Sequence, residues 1–163
     1  MLSKELQQGK AGEHLVCFDL LTQGYEAFLA PQGSPFDVVV VTAGARLIRI
    51  QVKSTSHLIT TKKNLRSHYR FGLRNGKRGN RTVSAEGCDV VAFVALDTKS
   101  IGYAPIAQLT SKVHGGMVQA VDFYAGSQPE RDTRGRRYTN TGTRRALWGK
   151  HLDDYRDFPF TPY

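Results

Sequence analysis

The stretch that decides the fold runs from Ser34 to Thr55 and reads SPFDVVVVTAGARLIRIQVKST. It predicts two short, almost wholly apolar strands joined by a turn that contains glycine. The polar residues near the strand ends are Asp37, Gln51 and Lys53. Gln51 and Lys53 are two positions apart, so their side chains share one face of a strand. A carboxylate that faces an amide oxygen and an ammonium is suited to holding Mg²⁺ beside a phosphate.

Length and composition predict one globular domain over residues 1–163, with 40% hydrophobic and 23% charged residues. No apolar run approaches the roughly 18 residues that span a bilayer. The first residues also lack the apolar region of a secretory signal. We therefore expect a cytoplasmic protein without a membrane partner. Cys17 and Cys88 have no C-x-x-C spacing, and we expect two reduced, buried thiols.

The net charge of +9 is concentrated in two parts of the chain. Residues 38–85 contain eleven Lys and Arg but no Asp or Glu, and a second basic cluster lies between residues 131 and 150. Segregated positive charge favours a nucleic acid partner, with an anionic membrane or an acidic protein as the alternatives. The predicted DNA contacts are Ser54, Thr55, Lys62, Lys63, Arg66, Arg70, Arg74, Lys77, Arg78, Arg81, Arg136 and Arg137.

Residues 2–21 are predicted to form an amphipathic helix, with Ser3 as its N-cap and Gly24 as its C-cap. Gly9 and Gly12 interrupt this pattern. A glycine inside a helix costs about 1 kcal/mol relative to alanine, so we expect a packing reason or a close approach there.

The remaining elements are expected from apolar runs and turn residues. Strands are predicted at 25–30, 36–41, 69–73, 89–96, 101–106 and 119–124. A basic insertion is predicted at about 57–82 and a basic C-terminal segment at about 126–163, with a short helix at 143–152 anchored by Trp148. This order predicts an α/β fold in which a mixed sheet is flanked by helices.

The motif residues carry a resemblance to the PD-(D/E)XK nuclease superfamily, which has the restriction-endonuclease-like fold. That family has a helical Glu, an Asp at a strand start and (Asp/Glu)-x-Lys on the next strand. Glu13, Asp37 and Gln51-Val52-Lys53 lie at the corresponding positions. The predicted hairpin over 89–106 resembles a piece common in the junction-resolvase and intron-endonuclease branches.

Two features depart from the family pattern. Pro35 is one residue further from Asp37 than the motif spacing, and Gln51 replaces the acidic ligand. An amide oxygen still coordinates a hard cation but contributes no charge. Similar Gln-x-Lys variants occur in active members, including an intron-encoded homing endonuclease branch of similar length.

The resemblance implies Mg²⁺, for which Mn²⁺ substitutes, and no organic cofactor. The implied ligands are Asp37, Gln51 and the Val52 carbonyl, with Glu13 as a further ligand or a support for one. Lys53 would orient or deprotonate the attacking water and stabilise developing negative charge. Considered alone, Asp37 is typical of a strand start or a turn, and Glu13 is typical of a solvated charge on a helix. The combination of order, spacing and a common face favours one site.

The function expected from the resemblance is a metal-dependent DNA endonuclease that leaves 5′-phosphate and 3′-hydroxyl ends. Within this class, a site-specific homing enzyme and a Holliday-junction resolvase are the alternatives. A DNA-binding module with a degenerate site is a hypothesis of another class, and an RNA-binding protein has only the charge in its favour. Cutting both strands requires two sites, so we expect a homodimer or homotetramer on double-stranded DNA.

Overall fold

The computed structural model describes residues 3–60, 67–75, 81–110, 116–125 and 150–162. The elements, in chain order, are α1 (Lys4–Thr22), β1 (Glu26–Leu29), β2 (Val38–Thr42), β3 (Arg46–Thr55), β4 (Leu58–Ile59), β5 (His68–Gly72), β6 (Arg74–Asn75), β7 (Arg81–Thr82), β8 (Val90–Ala95), β9 (Ser100–Pro105) and β10 (Ala120–Tyr124). Short 3₁₀ turns occupy Ala43–Ala45, Ile106–Leu109 and Leu152–Tyr155.

The first helix begins where its capping residue predicts. The Ser3 side chain accepts a hydrogen bond from the Leu6 N–H at 3.2 Å, which confirms the predicted N-cap. Gln23 is the C-cap, and the chain then leaves the helix through Gly24 at a φ of 88°, a left-handed conformation that favours glycine. Val16 and Leu20 are fully buried against the sheet.

The main sheet has five strands in the order β1-β2-β3-β8-β9. Neighbouring strands in this sheet are antiparallel except for β3 and β8, which run parallel. The predicted mixed sheet is therefore confirmed. The turn between β2 and β3 contains Gly44 with a φ of 74°, which is why glycine is found at this position. Within the described ranges, α1 is the one α-helix that packs on this sheet.

A second sheet, in the order β10-β5-β4, covers the opposite face of the main sheet. All six residues of β8 are buried because they contribute to a core on each side. Phe71, Phe93 and Phe123 form the centre of the second core, with ring centroids 5.1–6.0 Å apart. The strand predicted at 119–124 is thus an edge strand, but of this second sheet rather than of the main one.

The predicted basic insertion contains β4, β5, β6 and β7, so part of it belongs to the folded core. Tyr69, Phe71 and Leu73 are buried there. The helix predicted at 143–152, with Trp148, lies almost wholly outside the described residues. No α-helix in the described parts of the chain is both long enough and apolar enough to cross a bilayer.

Candidate functional site

The candidate site is built around Asp37, which directly precedes β2. The register that pairs Val38 with Ile50 places Asp37 beside Gln51 on the neighbouring strand. The Asp37 N–H donates to the Ile50 carbonyl at 2.9 Å. Its carboxylate oxygen Oδ2 accepts hydrogen bonds from the Val52 N–H at 2.7 Å and from Gln51 Nε2. Among the described residues both of these hydrogen bonds end on Oδ2, and none ends on Oδ1.

Strand alternation separates the side chains of β3 into two groups. Val52 and Ser54 lie under α1, where both are close to Gly12. Gln51 and Lys53 therefore point to the other face, which the second sheet covers. Asp37 lies on this same face of the sheet, beside Gln51.

Glu13 lies on α1, which packs on the face of the sheet opposite to Gln51 and Lys53. Its side chain is only 13% exposed, and its carboxylate pairs with Lys10 Nζ at 2.7 Å. Its negative charge acts on Asp37, so the two carboxyl groups are electrostatic neighbours. The helix comes this close because Gly12 has no side chain: a Cβ atom there would lie 1.8 Å from Ser54 Oγ.

Burial and neighbouring charges shift the pKa values of the site in opposite directions. Burial raises the pKa of Asp37, and the charge of Glu13 adds to this shift. The hydrogen bond from the Val52 backbone and the charges of Lys53 and Lys10 oppose it. Burial lowers the pKa of Lys53, against the attraction of Asp37. A lysine with a depressed pKa has a larger fraction of neutral amine near neutral pH than an exposed lysine, and the neutral amine is the form that accepts a proton.

The donor set fits a hard divalent cation. Asp37 and Glu13 supply carboxylate oxygens, and the Gln51 amide retains its oxygen while its nitrogen donates to Asp37. In the parts of the chain that the structure describes, no three His, Cys, Asp or Glu side chains group as a metal site. Val52 is engaged through its N–H, and ligation by its carbonyl stays a prediction.

Sequence reasoning missed two neighbours of the site. Lys10 lies one turn before Glu13, and its spacing of three residues on a helix is the signal that could have identified the pair. Cys88 is buried, its thiol donates to the Ser84 carbonyl at 3.8 Å, and the charge of Lys53 acts on it. Burial, with the charge of Asp89, raises the pKa of Cys88 to about 11, so this thiol is not a nucleophile at neutral pH.

The four predicted DNA contacts with described side chains have different surroundings. Ser54 Oγ is buried and has no hydrogen-bond partner among the described residues, so contact with a phosphate would require α1 to move. Thr55 Oγ1 accepts the His57 N–H at 3.2 Å and closes a turn. The Arg70 guanidinium donates two hydrogen bonds to the buried Asp122 carboxylate, from Nε to Oδ1 at 2.8 Å and from Nη2 to Oδ2 at 3.0 Å.

Arg74 is exposed and available to a partner molecule. The other predicted contacts, which lie outside the described residues or whose side chains do, are Lys62, Lys63, Arg66, Lys77, Arg78, Arg81, Arg136 and Arg137.

The fold is similar to that of a solved structure, the bacterial homing endonuclease I-Ssp6803I. The sequences are 16% identical, the match covers 83% of this chain and 85% of that one, and the TM-score is 0.53. At this identity the likeness establishes a shared fold. No family model and no curated protein matches the sequence.

Proposed function

We propose that this protein is a Mg²⁺-dependent endonuclease that hydrolyses phosphodiester bonds in duplex DNA. The observation that carries the proposal is the contact of the Asp37 carboxylate with Gln51 and the Val52 N–H, with the charges of Lys53 and Glu13 acting on the same carboxylate. The net charge of +9 and a fold shared with a homing endonuclease support it.

Each residue has a distinct part in the proposed reaction. Asp37 Oδ1, Glu13 and the Gln51 amide oxygen would hold the cation. When bound, Mg²⁺ would neutralise charge on the scissile phosphate and lower the pKa of the attacking water. The Val52 N–H fixes the Asp37 carboxylate in one orientation. Lys53, whose burial lowers its pKa, would hold the attacking water and accept its proton.

The proposed substrate is a specific duplex site, and the proposed active form is a homodimer or homotetramer. A chain whose positive charge is concentrated within and after its motif strands suits a long backbone contact. Cutting two antiparallel strands requires two sites related by symmetry, which a closed oligomer supplies. A four-way junction is the alternative substrate.

A second candidate function is DNA binding without catalysis. Gln51 favours this function, because its amide adds no negative charge to the site and its nitrogen already donates a hydrogen bond to the Asp37 carboxylate. In this case the protein would bind DNA through its basic residues, and the site would be a degenerate nuclease site without catalytic activity.

A cleavage assay distinguishes these functions. The protein is incubated with supercoiled plasmid, phage DNA and four-way junctions in the presence of Mg²⁺, Mn²⁺ or EDTA. We expect cleavage with either metal and none with EDTA. Salt-sensitive binding to all three substrates, without cleavage of any, would contradict the nuclease and leave the binding module.

A further inference from the structure

The ion pair between Lys10 and Glu13 differs from an ordinary pair on a helix surface. Its nitrogen and oxygen are 2.7 Å apart, and the Glu13 side chain is 13% exposed whereas that of Lys10 is 48% exposed. Surface pairs with this spacing are usually solvated on both sides. Here the carboxylate is largely buried, whereas the ammonium belongs to a side chain that is about half exposed.

The charge of Lys10 extends beyond its partner. It acts on Asp37 as well as on Glu13, so one ammonium serves both carboxylates. Lys53 also acts on Asp37, with which it shares one face of the sheet. With a first divalent ion bound, the two carboxylates and the Lys10 ammonium leave the site with a net positive charge. A second ion would therefore meet repulsion from Lys10.

We propose that Lys10 is a positioning residue that acts as an internal cation beside Glu13, so that the site takes a single divalent ion. The ammonium lies 2.7 Å from Glu13 Oε2, so a second ion at Glu13 would have to compete with it. This inference rests on the proposed function, because it requires that Asp37, Glu13 and Gln51 hold a metal ion.

Two consequences follow if the ammonium is removed. The first ion binds more tightly, by about tenfold or more, because a unit positive charge a few ångströms away no longer repels it. Glu13, without its countercharge, also becomes able to hold a second, weaker ion together with water. A merely structural ion pair on α1 would change neither affinity nor the number of ions.

The test is a titration of the full-length protein with Mn²⁺ alone, followed by calorimetry and by electron paramagnetic resonance to count bound ions. We expect one ion for the wild type and for Lys10→Arg, which keeps the charge. For Lys10→Met we expect tighter binding of the first ion and a second binding event. Lys4→Met is the matched control, since Lys4 lies on the same helix about 9 Å further along its axis, and it should behave as wild type.

The outcomes separate this inference from the proposed function. One Mn²⁺ in the wild type and an unchanged affinity and count in Lys10→Met would overturn the role of Lys10 and leave the metal site standing. Absence of Mn²⁺ binding in the wild type would overturn both. Equal changes in Lys10→Met and Lys4→Met would show a general effect of net charge and would also overturn the role of Lys10.

Discussion

The Ser54 hydroxyl lies against the backbone of Gly12, so close that a Cβ atom at position 12 would be 1.8 Å from Oγ and 3.0 Å from the Ser54 Cβ. This contact sets the distance between α1 and β3. Glu13 is the next residue, and its charge acts on Asp37 from this helix. The glycine is thus a condition for assembling the site and not merely a tolerated helix residue.

Gly12→Ala should push α1 away from the sheet. We expect a loss of about 2 kcal/mol in the free energy of unfolding, as for overpacking in a well-filled core, together with weaker Mn²⁺ binding. Chemical denaturation and metal titration measure the two effects. Gly9→Ala is the matched control: nothing lies within 4 Å of its added Cβ, so it should stabilise the protein by about 0.5–1 kcal/mol.

A second substitution tests the cause of this loss. Combining Gly12→Ala with Ser54→Gly removes the two Ser54 atoms that the new methyl group would meet and leaves an ordinary contact with Val52 Cγ1 at 3.5 Å, so it should restore part of the stability. Equal stability of the Gly12→Ala and Gly9→Ala variants would mean that the close approach does not exist in solution.

Ser54→Ala should stabilise the protein. Its Oγ is buried without a hydrogen-bond partner among the described residues, and such an oxygen costs about 1–3 kcal/mol. We expect a gain of about 1 kcal/mol in denaturant unfolding. Ser56→Ala is the comparison, because its Oγ accepts a hydrogen bond from Gln8 at 2.7 Å, and that variant should lose stability slightly. A loss in Ser54→Ala would indicate that its hydroxyl has a partner after all.

Asp37→Asn should raise the thermal stability of the metal-free protein at neutral pH while removing metal binding. Burial raises the pKa of Asp37, so the folded state holds the proton more tightly than the unfolded state. The stability that this group contributes is fully present below the unfolded carboxyl pKa of about 4 and is lost as pH rises through the folded value. The gain of the variant, about 2 °C in Tm, should therefore vanish on acidification.

Thermal unfolding of both proteins in EDTA, between about pH 4 and pH 8, measures this difference. A variant that is less stable than wild type at neutral pH would show that the charged carboxylate is favourable in the fold. The placement of Asp37 in a desolvated site would then be wrong.

Arg70 should matter for stability more than for DNA affinity. Its guanidinium is 42% exposed but holds the carboxylate of Asp122, which is 1% exposed, across the pair of strands β5 and β10. Arg70→Met should cost about 1–3 kcal/mol, because a buried charge loses a partner. Arg74→Met, at an exposed position nearby, should leave stability within about 0.5 kcal/mol and weaken DNA binding. The reverse pattern would assign the phosphate contact to Arg70.

Much of the main sheet follows from local sequence signals. Ser3 caps a helix, four valines and a glycine turn define the pair β2 and β3, and the alternation of Gln51 and Lys53 sets their common face. These features depend on neighbours in sequence, so the sequence alone predicts them.

The features that sequence reasoning missed depend on distant pairing. β5 and β10 pair across about 50 residues, and no local pattern distinguishes an edge strand of a second sheet from one of the first. Cys88 lies just before β8, which is next to the motif strand because β3 and β8 run parallel, with Val91 opposite Gln51. Lys10 belongs to the site because Gly12 brings the helix close, which a spacing pattern does not reveal.

The most direct test of the proposed active site is the rate at which Lys53→Met nicks supercoiled DNA in Mg²⁺, compared with wild type and with Lys99→Met, an exposed lysine elsewhere. Methionine keeps the length of the half-buried side chain without its charge, so folding and most DNA binding should persist. We predict a rate lower by about 10²- to 10⁴-fold for Lys53→Met and an unchanged rate for Lys99→Met. Cleavage by Lys53→Met at the wild-type rate would contradict the assignment of this site as the catalytic centre.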